Sequence, residues 1–190
     1  MAYARLLGLF GLQRGLELAY SQRNERALQR RQPDAPQAGR AVWPWIATVN
    51  AALFTLPALE RWLRRRPAPP VVAAAGWIAA VAGLGLRLSV VVTLREAWNV
   101  RARVPRDLRV VERGPYRFIR HPNYVALGLE FLGLPLIGGA YLSAVGLSLA
   151  NALVLSQRIR EEEALLMAIP DYREKMASKP RFIPRLASAR

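Results

Sequence analysis

The fold of this chain is decided by the apolar run 125-VALGLEFLGLPLIGGAYLSAVGLSLANALVLS-156. Its 32 residues are too many for one ordinary membrane span, which needs about 20. Pro135 and the pair Gly138-Gly139 lie near its middle, where a proline interrupts helical hydrogen bonding and paired glycines permit a tight reversal. The run therefore predicts a helical hairpin with arms at about 123–138 and 140–159.

Three further apolar segments precede the hairpin. They run from Tyr3 to Tyr20, from Val42 to Leu59 and from Val71 to Leu94. The third would rise about 36 Å as a helix, enough to cross a hydrocarbon core of about 30 Å. Together with the hairpin they predict an all-α, polytopic membrane bundle of about five transmembrane helices. We expect a single domain over residues 1–190, with a three-helix part at 1–94 and a catalytic part at 95–190.

The charge pattern favours a membrane protein over a nucleic-acid-binding one. The chain has 28 Lys and Arg residues against 13 Asp and Glu, a net charge of +15. Most of the basic residues fall at 21–40, at 93–120 and from Arg158 onward, which share one side of a five-span topology. The positive-inside rule places that side in the cytosol. Because the basic residues flank apolar segments and form no nucleic-acid-binding motif, we expect no nucleic-acid partner.

Residue types limit the chemistry that this chain can perform. It has no cysteine and a single histidine, His121, so disulfides, thiolate nucleophiles and Cys-ligated or multi-His metal sites are excluded. Charged residues inside apolar segments are costly in a bilayer and are usually paired or functional. Arg14 and Glu17 are three residues apart on one helix face and can pair. Arg87 and Glu130 mark the third segment and the first hairpin arm in the same way.

The densest polar stretch is Gly114–Tyr124, which reads GPYRFIRHPNY. The His121-Pro122 pair disfavours helix before the proline, so a helix is predicted to begin there, at the membrane surface. The free backbone donors and the dipole of a helix N-terminus favour an anionic ligand group. If the hairpin folds back, this stretch meets Arg158–Glu163 at the end of the second arm. Such a cluster can bind a ligand that has both a cationic and an anionic end.

These motifs resemble those of the isoprenylcysteine carboxyl methyltransferase family. The resemblance extends from Leu108 to Pro184 and rests on a combination of motifs that is more specific than any one of them. The matching residues are Gly114-Pro115-Tyr116, Arg120-His121-Pro122-Asn123-Tyr124, Arg158-Ile159, Glu162-Glu163, Tyr172 and Arg181-Phe182-Ile183-Pro184.

Further residues resemble a bacterial branch of that family, whose members accompany type III polyketide synthases and O-methylate alkylpyrones or phenolic lipids. They are Gln13-Arg14, Glu17-Leu18, Arg23-Asn24-Glu25, Glu130, Pro135-Leu136 and Asn151-Ala152. The resemblance implies a helical membrane fold without a Rossmann domain. In agreement, Gly83-Leu84-Gly85 lies inside a predicted span, and no glycine-rich fingerprint follows a predicted strand.

The resemblance also implies S-adenosylmethionine as cofactor and a lipophilic acceptor, either an isoprenylcysteine-type carboxylate or the hydroxyl of a long-chain alkylpyrone or phenolic lipid. It implies a multi-pass protein of a bacterial inner membrane, in contact with membrane lipids and with its site facing the cytosol. The oligomeric state stays open. The implied cofactor residues are Tyr116, Arg120, His121, Pro122, Asn123, Tyr124 and Glu162, with Glu163 and Arg158 as neighbouring support or substrate-side groups. We predict Arg158 and Glu163 as catalytic residues, since an arginine near the acceptor would orient its oxyanion. Arg87 is the other candidate for that role, and Arg87 and Glu130, charged residues inside apolar segments, are predicted on the substrate side.

Two other functions remain open at this point. Sterol-reductase-like membrane oxidoreductases have a related motif but bind NADPH; the chain length, the predicted spans and the Glu162-Glu163 pair favour the methyltransferase. A non-enzymatic membrane protein whose arginines bind anionic lipid is the second alternative. It predicts that substitutions of His121 and Asn123 are tolerated.

Overall fold

Six α-helices make up most of the chain in this computed structural model, which describes residues 2–185. Met1 and residues 186–190 of the predicted domain lie outside the described residues. The helices are α1 (Ala2–Arg31), α2 (Trp43–Arg64), α3 (Pro70–Leu94), α4 (Pro122–Gly138), α5 (Tyr141–Met167) and α6 (Pro170–Met176), and two 3-10 turns cover Arg95–Ala97 and Gly114–Arg117. Within residues 2–185 the only β pairing is an isolated bridge between Gln37 and Arg103. The all-α class is confirmed.

The predicted hairpin is confirmed as α4 and α5, but α5 continues to Met167, past the predicted end of the second arm at about 159. Gly139 ends α4 in the left-handed region at φ +71°, where a glycine carries no steric penalty. Its N–H donates to the carbonyl of Leu136 at 3.0 Å, and the N–H of Ala140 donates to that of Pro135 at 2.9 Å, which is a Schellman motif. Pro135 therefore lies within the last turn of α4 and does not end the helix. The N-terminus of α5 is capped from α2, because Glu60 accepts the N–H groups at 142 and 143.

Helix α1 is longer than the apolar segment that predicted it. The segment ended at Tyr20 and residues 21–40 were expected to form a loop, but the helix continues to Arg31. Residues 21–31 contain neither glycine nor proline, and Pro33 is the first residue that breaks a helix. The prediction was wrong here because it followed hydrophobicity, whereas a helix can continue through polar residues that pack on another part of the chain.

Helices α3 and α4 form the closest packing of the bundle. A Cβ added at Gly76 would lie 2.7 Å from the backbone nitrogen of Ile137, and one at Gly133 would lie 2.6 Å from that of Ala80. Ala80 itself is completely buried. Small residues at helical spacing on both helices therefore bring the two backbones into contact, as they do in many membrane helix pairs. This contact fixes α4, and with it the polar segment at its N-terminus, against α3.

Two helices are long and apolar enough to cross a membrane, one over Pro70–Ala97 and one over Tyr141–Met167. The expected number of about five spans is not confirmed. Helix α4 has 17 residues, which is about 26 Å of helix, and the polar residues of α1 lower its hydropathy. Large apolar side chains nevertheless point outward on several helices, among them Val71, Ile78, Leu142 and Leu153. A water-soluble monomer rarely exposes so much apolar surface, so these faces indicate a membrane protein.

The charged residues of the apolar segments pair between helices. Arg14 and Glu17 share a helix face and could pair with each other, but each forms its ion pair with another helix. Arg14 on α1 bonds the carboxylate of Glu130 on α4, and Arg87 on α3 bonds that of Glu17. A second nitrogen of Arg87 donates to Oδ1 of Asn123 at 2.9 Å. Side chains that leave one helix are directed at its neighbours, so the closest carboxylate belongs to the helix across the interface.

Candidate active site

The segment from Arg120 to Tyr124 enters α4 as predicted, with His121 as the residue before the first turn. The C-terminal tail holds this segment in place. The N–H groups of Arg120 and His121 donate to the carbonyls of Pro180 and Arg181, both at 3.0 Å, and the His121 ring lies 6.1 Å from that of Phe182. Backbone contacts therefore connect two motifs that are about 60 residues apart in sequence.

Glu163 fixes the two basic side chains of that segment. Its Oε1 lies 3.0 Å from Nε2 of His121 and 3.2 Å from a terminal nitrogen of Arg120. Arg181 donates to both carboxylate oxygens of Glu163, at 3.1 and 2.5 Å. Glu163 is 7% exposed and His121 is 4% exposed, so these contacts are shielded from water. A buried carboxylate with three cationic or polar partners orients Arg120 and His121.

A second chain of hydrogen bonds crosses the hairpin. Nε of Arg158 donates to the Tyr124 hydroxyl at 2.9 Å, and that hydroxyl donates to Glu162. The other end of Arg158 donates to the carbonyl of Val100 at 2.5 Å. The expected meeting of the two hairpin ends is therefore confirmed: residues 120–124 and 158–163 lie together.

Two further tyrosines lie beside Glu162. Tyr116 belongs to the 3-10 turn before α4, and Tyr172 belongs to α6. Burial raises the pKa of both hydroxyls, and the neighbouring Glu162 carboxylate raises it further. Both side chains are therefore neutral hydrogen-bonding groups and apolar ring faces at neutral pH. Tyr172 is one of the resemblance residues, but only the fold of α6 back onto the hairpin brings it here.

One cavity of about 880 Å³ connects these groups with the interior of the bundle. Its size is near the upper end of the range for small-molecule sites. Of the eleven predicted site residues, eight line it and three do not. Those that line it are Tyr116, Arg120, His121, Asn123, Tyr124, Arg158, Glu162 and Arg87. Those that do not are Pro122, Glu130 and Glu163. Glu130 and Glu163 lie outside the lining but contact two of its arginines, Arg14 and Arg120. The roles assigned to all eleven stay predictions.

The segment 95–111 forms a wall of the cavity that sequence reasoning missed. It contributes Trp98 and Val100, among other residues. Helix α1 holds this segment: Asn24 donates to the carbonyl of Trp98 at 2.9 Å, and Ser21 accepts the N–H of Val100 at 2.8 Å. Arg103 donates to Glu25 at 3.0 Å. One sequence feature could have predicted this contact: Ser21, Asn24 and Glu25 are polar residues at helical spacing, just after the apolar part of α1.

Comparison with known proteins agrees with this geometry. Residues 76–168 match the model of the isoprenylcysteine carboxyl methyltransferase (ICMT) family. The chain is 30% identical to the uncharacterized protein YpbQ of Bacillus subtilis, over 85% of this chain and 94% of that protein. It is 32% identical to the protein-S-isoprenylcysteine O-methyltransferase of Schizosaccharomyces pombe and 35% identical to the cobalt-zinc-cadmium resistance protein CzcN of Cupriavidus metallidurans. These matches cover 54% and 55% of this chain and 46% and 48% of those proteins.

The chain belongs to the ICMT family. The family match contains the Arg120–Tyr124 segment, both hairpin helices and Glu162-Glu163. Members of the ICMT family use S-adenosylmethionine, which has an anionic carboxylate, a cationic amine and a cationic sulfur.

The residues that line the cavity fit such a ligand. Nε of Arg120 is buried and has no partner within residues 2–185, so it is a donor that remains available. His121 lies next to it in the lining, and both can serve the carboxylate. Glu162 and the ring faces of Tyr116 and Tyr172 suit the cationic groups, since carboxylates and aromatic faces both attract positive charge. The lining therefore contains groups of both charges, as a zwitterionic ligand requires.

Proposed function

We propose that this ICMT-family protein is an S-adenosylmethionine-dependent O-methyltransferase that acts on a lipophilic acceptor. The observation that carries the proposal is the cavity itself. One region is complementary to a zwitterion, through Arg120 and Glu162. Another region has apolar lining from α1 and α2, including Leu28, Ile46 and Ala47. A polar cofactor and an apolar tail can therefore occupy the same cavity.

S-adenosylmethionine, when bound, supplies a methyl group activated by a positively charged sulfur. The residues of this chain bind and orient it. Arg120 and His121 hold the carboxylate end, and Glu163 keeps both of them in position from behind. Glu162 faces the cationic groups, and its bond from the Tyr124 hydroxyl fixes the direction of its carboxylate. Orientation of two reactants accounts for a large part of the rate of a transfer between them.

The acceptors that we propose are an isoprenylcysteine-type carboxylate and the acidic hydroxyl of a long-chain alkylpyrone or phenolic lipid. A carboxylate is ionised at neutral pH and needs no general base. An acidic enol needs little help from one. Arg158 is the proposed catalytic residue that stabilises the acceptor oxygen, because its guanidinium borders the cavity between Tyr124 and Val100. Partial exclusion of water from the cavity strengthens this interaction.

The proposal includes a multi-pass arrangement with the cofactor region on the cytosolic side of the membrane. The apolar α3 and α5 and the outward-facing apolar side chains support insertion into a bilayer. The concentration of basic residues around the cavity supports the cytosolic orientation, by the positive-inside rule. A cytosolic opening gives the site access to the cofactor, which is polar, while the tail of the acceptor stays in the membrane.

Ligand binding to the purified protein in nanodiscs tests the proposal. We expect S-adenosylhomocysteine, but not NADPH, to bind in isothermal titration calorimetry. We expect Arg120→Gln to weaken this binding at least about tenfold, the value of one charged hydrogen bond. Arg117→Gln is the matched control, since Arg117 is exposed and one turn away. Binding of NADPH alone would favour the oxidoreductase, and binding of neither ligand would favour a lipid-binding protein.

Turnover identifies the acceptor. The same preparation is incubated with labelled S-adenosylmethionine and two panels, one of prenylated cysteine analogues and one of long-chain pyrones and resorcinols. We expect label in the lipid fraction from one panel. Full activity in His121→Ala would refute the assignment of the cofactor region, because that substitution removes a side chain that lines it.

A further inference from the structure

Hydrogen-bond donors bound the part of the cavity that lies next to Asn123. Arg14 and Arg87 both line it, as do Trp98 and Asn123. Oδ1 of Asn123 is occupied by Arg87 at 2.9 Å, which leaves the amide NH₂ group as the free part of that side chain. The guanidinium of Arg87 lies 5.6 Å from the centre of the Trp98 ring. Guanidinium groups and the indole N–H are donors without an acceptor function, so the side chains of Arg14, Arg87 and Trp98 offer donors alone.

The carboxylates that balance the two arginines do not line the cavity. Glu17 contacts Arg87 and Glu130 contacts Arg14, and neither glutamate belongs to the lining. Arg14 and Glu17 are one turn apart on α1, and Asn123 and Glu130 are two turns apart on α4, so the contacts form a closed ring across three helices. The two glutamates hold the guanidinium groups of Arg14 and Arg87 from outside the cavity lining, and both arginines border the cavity.

Two donors of this wall are unmatched. Nε1 of Trp98 and Nε of Arg14 are buried and have no hydrogen-bond partner within the part of the chain that the structure describes. Trp98 is only 3% exposed. A buried donor without a partner costs free energy unless a ligand or water accepts from it. Oε1 of Glu130, on the carboxylate that bonds Arg14, is also buried and unmatched, so it is a second acceptor close to Arg14. Nε1 of Trp98 has no such acceptor beside it, and Trp98 lines the cavity, so we infer that a ligand in the cavity accepts from it.

Other carboxylates of the lining are separate from this wall. Glu162 accepts from Tyr124 in the cofactor region. Glu96 is exposed, and so is Asp107, which is bonded to Gln32. Within the described residues, no carboxylate of the lining is bonded to Arg14, Arg87 or Trp98.

We propose that Arg14, Arg87 and Trp98 form the acceptor subsite and select a head group whose oxygen carries no hydrogen. This inference rests on the proposed methyltransferase function and deepens it. Together with Arg158, Arg14 and Trp98 bind a carboxylate or enolate head group. The lone pair of its oxygen forms the new O–CH₃ bond while the S–CH₃ bond breaks and its electrons remain on sulfur. A neutral alcohol also accepts through its lone pairs, but it carries no charge, so it forms weaker hydrogen bonds with these donors and is disfavoured.

A matched pair of probes tests this subsite directly. The probes are [1-¹³C]dodecanoate and 1-dodecanol, which share a tail and differ in the head group, at pH 8 in nanodiscs, with empty discs as the blank. We expect the protein to bind dodecanoate at least about tenfold more tightly than dodecanol, because one head group accepts charged hydrogen bonds and the other does not. We also expect the carboxyl ¹³C signal of the bound probe to titrate at lower pH than in empty discs.

Variants separate the subsite from the cofactor region. Arg14→Gln and Trp98→Phe should weaken dodecanoate binding, roughly tenfold and threefold, and leave S-adenosylhomocysteine binding unchanged. Because Arg14→Gln leaves a buried carboxylate without its partner and can impair folding, the double variant Arg14→Gln/Glu130→Gln removes both charges. Arg26→Gln, exposed on the same helix, is the control.

Different results would overturn the acceptor subsite and the proposed function. Equal binding of dodecanoate and dodecanol to a wild-type protein that binds S-adenosylhomocysteine would overturn the subsite and leave the proposed function intact. Unchanged dodecanoate binding in both Arg14→Gln and Trp98→Phe would also overturn the subsite. Absence of S-adenosylhomocysteine binding to the wild type would overturn the proposed function, whatever the probes show.

Discussion

Replacement of Glu163 by glutamine is the sharpest test of how the cofactor region is held together. The carboxylate accepts from His121 at 3.0 Å and from Arg181 at 2.5 and 3.1 Å, and it lies 3.2 Å from Arg120. Glutamine has nearly the same shape but no charge. The substitution therefore removes the ionic partner of the partly buried Arg120 and leaves the geometry of the neighbours unchanged at the outset.

The magnitude follows from the burial of each partner. The side chain of Arg181 is 54% exposed, so solvent screens its ion pair with Glu163. We therefore count nothing for this pair in the loss of stability. Arg120 is 13% exposed and Glu163 is 9% exposed at their side chains, and removal of one member of such a pair costs about 3 kcal/mol. For a chain of this length about 3 kcal/mol corresponds to a decrease of roughly 6–12 °C in the apparent Tm. Arg120 also loses its orientation toward the cavity, so S-adenosylhomocysteine should bind at least about tenfold more weakly.

Thermal unfolding in nanodiscs and calorimetric titration measure the two effects on the same preparation. Asp171→Asn is the control, since Asp171 and Lys175 form a pair whose side chains are 47% and 40% exposed. Such surface pairs contribute little, and we expect no measurable change in either quantity. An apparent Tm and an affinity for S-adenosylhomocysteine that both equal those of the wild type in Glu163→Gln would refute the positioning role of this carboxylate.

Three other substitutions test separate parts of the structure. Gly133→Ala should lower the apparent Tm by several degrees, because its Cβ would lie 2.6 Å from a backbone atom of α3, whereas Gly128→Ala, with nothing within 4 Å, should leave it unchanged or raise it; equal values for both would contradict the close packing. Tyr124→Phe should keep the fold and weaken S-adenosylhomocysteine binding roughly tenfold, as Glu162 loses its hydroxyl partner; calorimetry measures this. Burial raises the pKa of Tyr172, so the folded state resists its ionisation and stability should fall once the pH exceeds about 10, where the unfolded chain ionises; Tyr172→Phe should make the fall in apparent Tm from pH 9 to pH 11 smaller, and an unchanged fall would contradict the prediction.

The sequence by itself determined the features that depend on local patterns. The all-α class and the hairpin follow from a 32-residue apolar run with Pro135 and Gly138-Gly139 inside it. The start of α4 at Pro122 follows from the conformational limits of a His-Pro pair. The meeting of the two ends of the hairpin follows from its reversal alone. Each of these conclusions needs only residues that are neighbours in sequence or in one hairpin.

Contacts between segments that are distant in sequence could not be predicted from such local patterns. The continuation of α1 to Arg31 depends on the 95–104 loop, which accepts the polar stripe of that helix. The partners of Arg14 and Arg87 depend on which helices are adjacent, and adjacency is a property of the packed bundle. Trp98 carries no signal in the sequence for its place at the cavity.

The three consecutive glutamates on α5 show most clearly what the sequence determines and what only the tertiary structure decides. The sequence determined that Glu161, Glu162 and Glu163 lie on one helix, where successive residues point about 100° apart. It did not determine which direction faces the cavity. In the fold Glu161 accepts the N–H of Gly39 at 2.6 Å, Glu162 accepts from Tyr124 beside the cavity, and Glu163 binds the basic residues from behind. The rotation of α5 about its own axis is set by its packing against the rest of the bundle, and that packing exists only in the tertiary structure.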